Sequence, residues 1–576
     1  MMSRRAANLT RDLDSAHSLR EGPPMHERKP ERAPRRAPPP HPQADRRGDD
    51  PDAAHPHAAA PAGASTLLIV SDLHLGAALR PPMGYAALRM TARLDRALER
   101  FLEYHLARPA RDEEGAPRPW TLIFNGDTID FLHMGLSAED QVTLEGEEAL
   151  YGLSFARRRS RWKLQEIARY HRRAFRALCR FIEQGHQCVF VIGNHDADLW
   201  FEQVRRDLTA AVARHARQPK AVKRMIHFAP WFYYEEGRVY IEHGHRFDPY
   251  STFPDPLAPL NREESALEPT FGHWGLRYFC NPVPTFPLHD LERWGPVDFI
   301  RWALNRAGVG LSSLVLFYLR FLWRYARDTA AARLAVQREA LAGRQRGRRL
   351  ARFARRARLS MRRVRALDAL RLQHVGASWL RIAQAIYVDR AVLVLLSGVG
   401  MLWWARVAEG WALAAGLAAG ALGVGVAWVT LAQLRPPQDT HPLLGDIAQQ
   451  IGDITGVPLV VFGHTHHPTL TERDGVRWLN PGSWEHLPRS ESHAPDQPCT
   501  CGAKFGVVRG EGAEMRVGLY QWCEVRRAAE LVRDEREGDG REGDGRAQGA
   551  QRAAGSAEVV AVAGGAPAGA SSTHSE

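Results

Sequence analysis

Five short runs of the chain end in residues able to hold cations: SDLHLG with Asp72 and His74, NGDTID with Asp127 and Asp130, GNHD with Asn194, His195 and Asp196, EHGH with His243 and His245, and GHTH with His464 and His466. Asp72 and His74 stand two apart at the end of an apolar run. In extended chain, side chains at i and i+2 point to one side, so both can face one ion. Gly126 lets the backbone turn closely before Asp127, whose carboxylate can bridge two cations. Asn194 offers a neutral carbonyl oxygen, and His243, His464 and His466 supply imidazoles. Mixed nitrogen and oxygen donors of this kind suit manganese, iron or zinc rather than calcium. Each piece alone is what a turn often contains, since Asp, Asn and Gly are common turn formers. Five of them at the carboxyl ends of apolar runs point to one site, because ligands of α/β sheets gather at that edge.

The elements that must position these residues are legible next to them. TLLIV, TLIFN, CVFVI, RVYIE and LVVF are short β-branched or apolar runs that stop at polar, glycine-containing turns, which predicts buried strands. Stretches 91–106 and 161–183 predict helices between them, so the fold class is α/β with a largely buried sheet. Residues 232–242 predict a hairpin turning at Glu236-Gly237, and RWLNPGSW, KFGVVRG and EMRVGLYQW predict closing antiparallel strands.

At 576 residues the chain exceeds what one core usually organises, and its formal charge of +12 suits anionic partners: phosphates, nucleic acid or acidic lipid headgroups. Six scattered cysteines without CxxC spacing argue for a reducing compartment, with Cys499 and Cys501 read as an incidental loop pair. No apolar leader precedes Ser65, so the catalytic part is expected in the cytoplasm. Residues 1–64, rich in Arg, Pro and Ala, are expected to be disordered, as are residues 529–576 with their two REGDG repeats.

The expected domain occupies 65–256 and 436–528, interrupted by a helical insertion over 257–435. Within the insertion, the apolar runs at 388–407 and 411–433 predict a two-helix transmembrane hairpin, against the alternative of a buried soluble one. Residues 343–365 hold eleven arginines and no acid, which suits anionic membrane lipids in the cytoplasmic leaflet; nucleic acid is the rival partner. Residues 312–326, interrupted by Arg320 and Arg324, read as interfacial rather than spanning. His464 and His466 follow the hairpin, whereas the other candidate ligands precede it. An even number of spans therefore keeps the site together, with the catalytic domain and both termini on the cytoplasmic side of the inner membrane.

In order and spacing, SDLHLG, NGDTID, GNHD, EHGH and GHTH resemble the motifs DxH, GDxxD, GNHD, GH and GHxH of the calcineurin-like metallophosphoesterase superfamily. The resemblance implies a four-layer α/β/β/α sandwich and a pair of divalent ions, manganese foremost, with iron or zinc as alternatives. Carried over by position, it implies that Asp72, His74, Asp127 and His466 bind one ion and Asp127, Asn194, His243 and His464 the other. It also places His195 beside the leaving group, with Asp196 orienting its imidazole. The implied reaction is hydrolysis of a phosphomonoester, phosphodiester or pyrophosphate by a hydroxide that the two ions generate from water. Asp130 reads as a partner for a ligand histidine or as a helix cap, His245 as a substrate contact and His467 as a loop residue.

A phosphorylated small-molecule or lipid-linked substrate is expected of a site beside a leaflet. The opening SDLHLG and closing GHTH are also similar to the UDP-2,3-diacylglucosamine hydrolases, although those read GNRD where this chain has GNHD. That pyrophosphatase activity, a nuclease and a non-catalytic metal-binding membrane tether are the alternatives.

Overall fold

Along the first strand, β1 (Thr66–Val70), successive residues serve two cores. Leu68 and Val70 point to a layer of helices, while Leu67 and Ile69 point to a second sheet. A run without polar residues is what a strand covered on both faces needs, and burying each such side chain contributes about 1.5–3 kcal/mol. The computed structural model describes residues 66–79, 85–111, 115–133, 147–261, 263–281, 301–302, 311–336, 340–385, 387–485, 487 and 502–534. The expected disorder of 1–64 and of the chain beyond 534, and the pair Cys499 and Cys501, lie outside them.

A minor ribbon pairs β2 (Ala110–Arg111) with β3 (Pro117–Arg118). The first main sheet contains β1, β4 (Trp120–Asn125), β5 (Gln187–Val191) and β6 (Ile226–Ala229), all parallel. On the other side of β1 it continues antiparallel through β12 (Lys504–Arg509), β13 (Arg516–Cys523) and β14 (Ala528–Asp534). The second sheet is built from β7 (Phe232–Glu235), β8 (Val239–Glu242), β9 (Leu459–Val461), β11 (Val476–Asn480) and β10 (Thr469–Arg473), in that spatial order. β7 and β8 form the expected hairpin, with Gly237 in the left-handed region at φ 66°.

Between the sheets lie Leu67, Ile69, Ile123 and Val189 from one side and Ile241, Val461 and Leu479 from the other. Helices Tyr85–Ala107, Arg157–Tyr170, Arg172–Glu183 and Glu202–Ala213 cover the outer face of the first sheet. Helix His441–Thr455, with Leu444, Ala448 and Ile451, covers the second. The result is the four-layer α/β/β/α arrangement.

Three expectations about the elements are corrected. The 161–183 helix is two helices broken at His171, whose Nδ1 lies 2.6 Å from Asp95. The tail expected from 529 first adds β14 to the sheet edge. Residues near 257 do not open the insertion, because Leu257 is buried in the second outer core and the Ala156 strand bridge pairs with Ala266. In the arginine-rich segment, helices Ala340–Ala357 and Met361–Ala369 bury Leu350, Phe353, Ala354, Val364 and Leu367 against Trp231 and the second outer core. Arg346 pairs with Asp255 and Asp368, and Arg349 with Asp255.

The insertion lies between β8 and β9, which are parallel neighbours, so the chain must leave and rejoin the same sheet. Within it, helix Leu311–Val336 seats Phe321 and Tyr325 against Tyr151, Tyr278 and Ile382. Helices Val388–Val407 and Gly410–Gln433 are long and apolar enough to cross a membrane, and no residue of the second is buried within the chain. They approach closely where Gly416 faces the Trp404 indole.

Candidate metal centre

The motif loops leave the carboxyl ends of β1, β4 and β5, adjacent in one sheet, and of β8 and β9, adjacent in the other. They converge at one edge of the sandwich in two groups, Asp72 with His74 and His466, and Asp127 with His243 and His464. The backbone there is forced: Asp72, His74, Asp127, His464 and His466 have φ of 53°, 50°, 49°, 65° and 58°. Left-handed conformations cost a non-glycine residue roughly 1–2 kcal/mol each, less for Asp, and persist only where surrounding structure imposes them. Three motif glycines let the loops pack this closely, because there is no room for a Cβ. One at Gly126 would fall on the His243 imidazole, one at Gly193 on the Asp127 carboxylate, and one at Gly463 on the Ser71 hydroxyl.

Asp127 sits centrally. Its Oδ2 is 3.2 Å from His243 Nε2 and 4.0 Å from His74 Nε2, while its Oδ1 accepts from the His195 amide at 2.8 Å. On the other side, Asp72 Oδ1 is 3.1 Å from His466 Nε2 and 3.9 Å from His74 Nε2. Four buried atoms of this cluster make no aligned hydrogen bond, the approaches at 3.1 and 3.2 Å included: Asp72 Oδ1, His74 Nε2, Asn194 Oδ1 and His243 Nε2. Unpaired buried polar atoms cost about 1–3 kcal/mol apiece, and all four belong to residues expected as ligands. The donor set therefore fits a pair of divalent ions.

Three of the four imidazoles are turned by a partner at the other nitrogen, as ligand histidines usually are. His74 Nδ1 donates to Asp130 Oδ2 at 2.8 Å and His243 Nδ1 to the Asn125 carbonyl at 2.9 Å. His464 Nε2 is 3.0 Å from Asp248 Oδ2, leaving Nδ1 as the nitrogen available to an ion. Ser71 bonds both Asp72 and the Asn125 carbonyl, tying two motif loops together.

His195 and Asp196 are both in place, but not as a pair. His195 Nδ1 meets Asp130 Oδ2 at 3.1 Å, whereas Asp196 accepts from the Gly193 and Thr128 amides at 2.6 and 2.9 Å. The expectation that Asp196 orients His195 is thus corrected: its carboxylate braces two loop backbones, and Asp130 holds the imidazole. His133, which the motif reading did not single out, brings a third imidazole to Asp130, with Nδ1 2.9 Å away. Asp248 and Glu485, beside His464 and His74 respectively, were also outside that reading. Only the position of His133 three residues after Asp130 could have flagged it. His245 is buried, its ring 5.6 Å from His243, and His467 meets His441 in a tilted contact with ring centroids 4.9 Å apart.

The electrostatics follow from burial and crowding. Burial disfavours charge on His243, yet Asp127 and Asp72 outweigh it and hold the imidazole up at about 9. Burial likewise opposes charge on His195, and Asp130 with Asp127 raises it above its ordinary value. Asp196 is pushed up to about 7 by burial and then by Asp127. Ions and protons compete for the same nitrogens, so ion binding must release protons.

Residues 65–310 match the family model of the calcineurin-like phosphoesterases. No curated protein matches the chain. The matched span carries the first four motifs, and the fold returns His464 and His466 to them from beyond its end.

Proposed function

We propose that this chain, a phosphoesterase hydrolase by its calcineurin-like phosphoesterase domain, cleaves a phosphoester or pyrophosphate bond of a membrane-proximal or lipid-linked substrate with a pair of divalent ions, manganese foremost. The observation that carries the reading is Asp127 standing between two imidazole groups, among four buried donor atoms that make no aligned hydrogen bond. Asp72, His74, Asp127 and His466 would hold one ion, and Asp127, Asn194, His243 and His464 the other. Bound there, such a pair supplies Lewis acidity toward phosphoryl oxygens and lowers the pKa of water.

The remaining work belongs to side chains. His195, its Nδ1 engaged by Asp130, has Nε2 left to give a proton or hydrogen bond to the departing oxygen. The carboxylates around it favour its charged form, as an acid needs. Asp196 keeps the Gly193 and Thr128 loops in register, so that Asn194 and Asp127 stay opposed. The hairpin Val388–Val407 and Gly410–Gln433 supports anchoring in the inner membrane by two spans, with the site and both termini on the cytoplasmic face.

The test is turnover of bis(p-nitrophenyl) phosphate and p-nitrophenyl phosphate by chelator-stripped protein on adding manganese, iron or zinc. Restoration by one of them, absent in Asp127→Asn and His464→Ala, supports the proposal. Full metal occupancy without turnover of any phosphoester would favour a binding module instead.

A further inference from the structure

Helix Leu311–Val336 has two faces of different character. Phe321 and Tyr325 pack with Tyr151 of the domain and with Phe271, Tyr278, Val375 and Ile382. On the other side Leu316, Leu319 and Trp323 recur at i, i+3 and i+7 and are 46, 54 and 63% exposed. Arg320 and Arg327 are exposed at the edge of that stripe, Arg327 lying over the Trp323 ring at 5.3 Å. Leucine with tryptophan rimmed by arginine is the composition of a helix lying in a membrane interface, where indole sits at headgroup level and arginine reaches phosphate.

The helix also adjoins the root of the apolar hairpin. Its Tyr318 faces Arg435 and Tyr387, the residues at which the hairpin ends and begins. Arg435 stacks on the Tyr387 ring at 3.7 Å and donates to the Ala385 carbonyl at 3.1 Å. Just before the hairpin, Trp379 and Leu380 are 49 and 63% exposed. The same root touches the metal-site loops: Arg435 faces the Tyr250 hydroxyl, two residues beyond Asp248, and His441 Nδ1 lies 3.1 Å from Thr465 Oγ1 in GHTH.

We propose that the outward face of helix Leu311–Val336, with Leu316, Leu319 and Trp323, docks in the headgroup layer of an anionic bilayer beside the hairpin root. The occupant is the leaflet itself, because the helix adjoins the hairpin root through Tyr318 and the charged rim of its exposed face complements anionic headgroups. The docked helix, clamped to the domain by Phe321 and Tyr325, fixes the orientation of the metal site toward that leaflet and selects phosphoesters presented at the bilayer surface. This rests on the two-span reading of the hairpin.

The test is spin labelling of the full chain in nanodiscs of phosphatidylethanolamine and phosphatidylglycerol, with Cys499 and Cys501 replaced by serine. Labels go at Leu319→Cys, at Leu402→Cys on the hairpin and at Glu472→Cys on the exposed β10, and accessibility to oxygen is compared with that to a nickel chelate. The expected result is oxygen exceeding nickel several-fold at 319 and 402, with the reverse at 472. Trp323→Cys must agree with Leu319→Cys, which guards against a misfolded variant. A 319 label as wet as 472, with 402 still in lipid, overturns the docking alone. A wet 402 label overturns the hairpin reading and the docking with it. A 319 label shielded from both agents shows that protein covers the face, which also overturns the proposal.

Discussion

Replacing Asp130 by asparagine separates the roles of two neighbouring carboxylates. Asp130 accepts from His74 Nδ1 at 2.8 Å and His195 Nδ1 at 3.1 Å, its other oxygen takes the His133 amide at 2.6 Å, and His133 Nδ1 lies 2.9 Å away. Burial alone would raise its pKa, but the surrounding imidazoles hold it well below the ordinary carboxylate range, so it is the anion they share. Asparagine preserves the shape and one accepting oxygen. Its amide nitrogen can only donate, so on the Oδ2 side it faces the imidazole Nδ1 groups and on the Oδ1 side the His133 backbone amide, and in either case the negative charge is lost for all three rings. Loss of a carboxylate behind a ligand histidine weakens metal affinity by about 10–100-fold, or roughly 1.4–2.7 kcal/mol. Asp130→Asn is therefore expected to bind manganese that much more weakly, as read by competition with a fluorescent chelator. Its kcat at saturating metal should also fall at least tenfold, because His195 loses its tether. Asp196→Asn keeps an accepting oxygen for a backbone amide and should lose stability before it loses the kcat contribution of His195. If Asp130→Asn binds metal within twofold of the parent and keeps its kcat, the shared-carboxylate argument is wrong.

Gly463→Ala should fold with a lowered melting temperature yet lose metal binding, measured by elemental analysis after gel filtration, because the added Cβ displaces Ser71 and stands 2.8 Å from Asp72 Oδ2. His105 and His186, remote from the metal centre, are both depressed to about 4 by burial, and Nδ1 of His186 accepts from the Trp120 amide at 3.1 Å. Both must stay neutral in the folded chain while the unfolded chain protonates near 6.5. Stability is thus fully present above pH 6.5 and is lost as pH falls toward 4, by up to about 1.4 kcal/mol per pH unit for each group. Urea unfolding of His186→Asn between pH 7 and 4.5 should show a flatter acid limb; an unchanged limb would refute the assignment.

The strands and the seven candidate ligands were legible because their signals are local. An apolar run buried on both faces and a strand-end Asp or His need only a few consecutive residues to declare themselves. Of the partners of those ligands, Asp130 was legible as one and holds His74, whereas Asp248 reaches His464 only through the fold. Asp196 adjoins His195 in sequence, and adjacency suggested a pairing that the tight GNHD turn prevents by aiming the carboxylate back at the Gly193 amide. The packing of the arginine helices was not legible either, because Leu350, Phe353 and Ala354 form a narrow buried stripe in a segment dominated by charge. β14 was hidden because its residues run directly into the REGDG repeats.

The long excursion between β8 and β9 has a consequence for how the enzyme comes into being. A nascent chain that has emerged through Asp248 possesses Asp72, His74, Asp127, Asn194 and His243, yet lacks two of the proposed donors. Those arrive only after both apolar helices have been synthesised and the polypeptide has come back to pair β9 with β8. A fragment truncated within the insertion therefore lacks His464 and His466, two of the proposed donors.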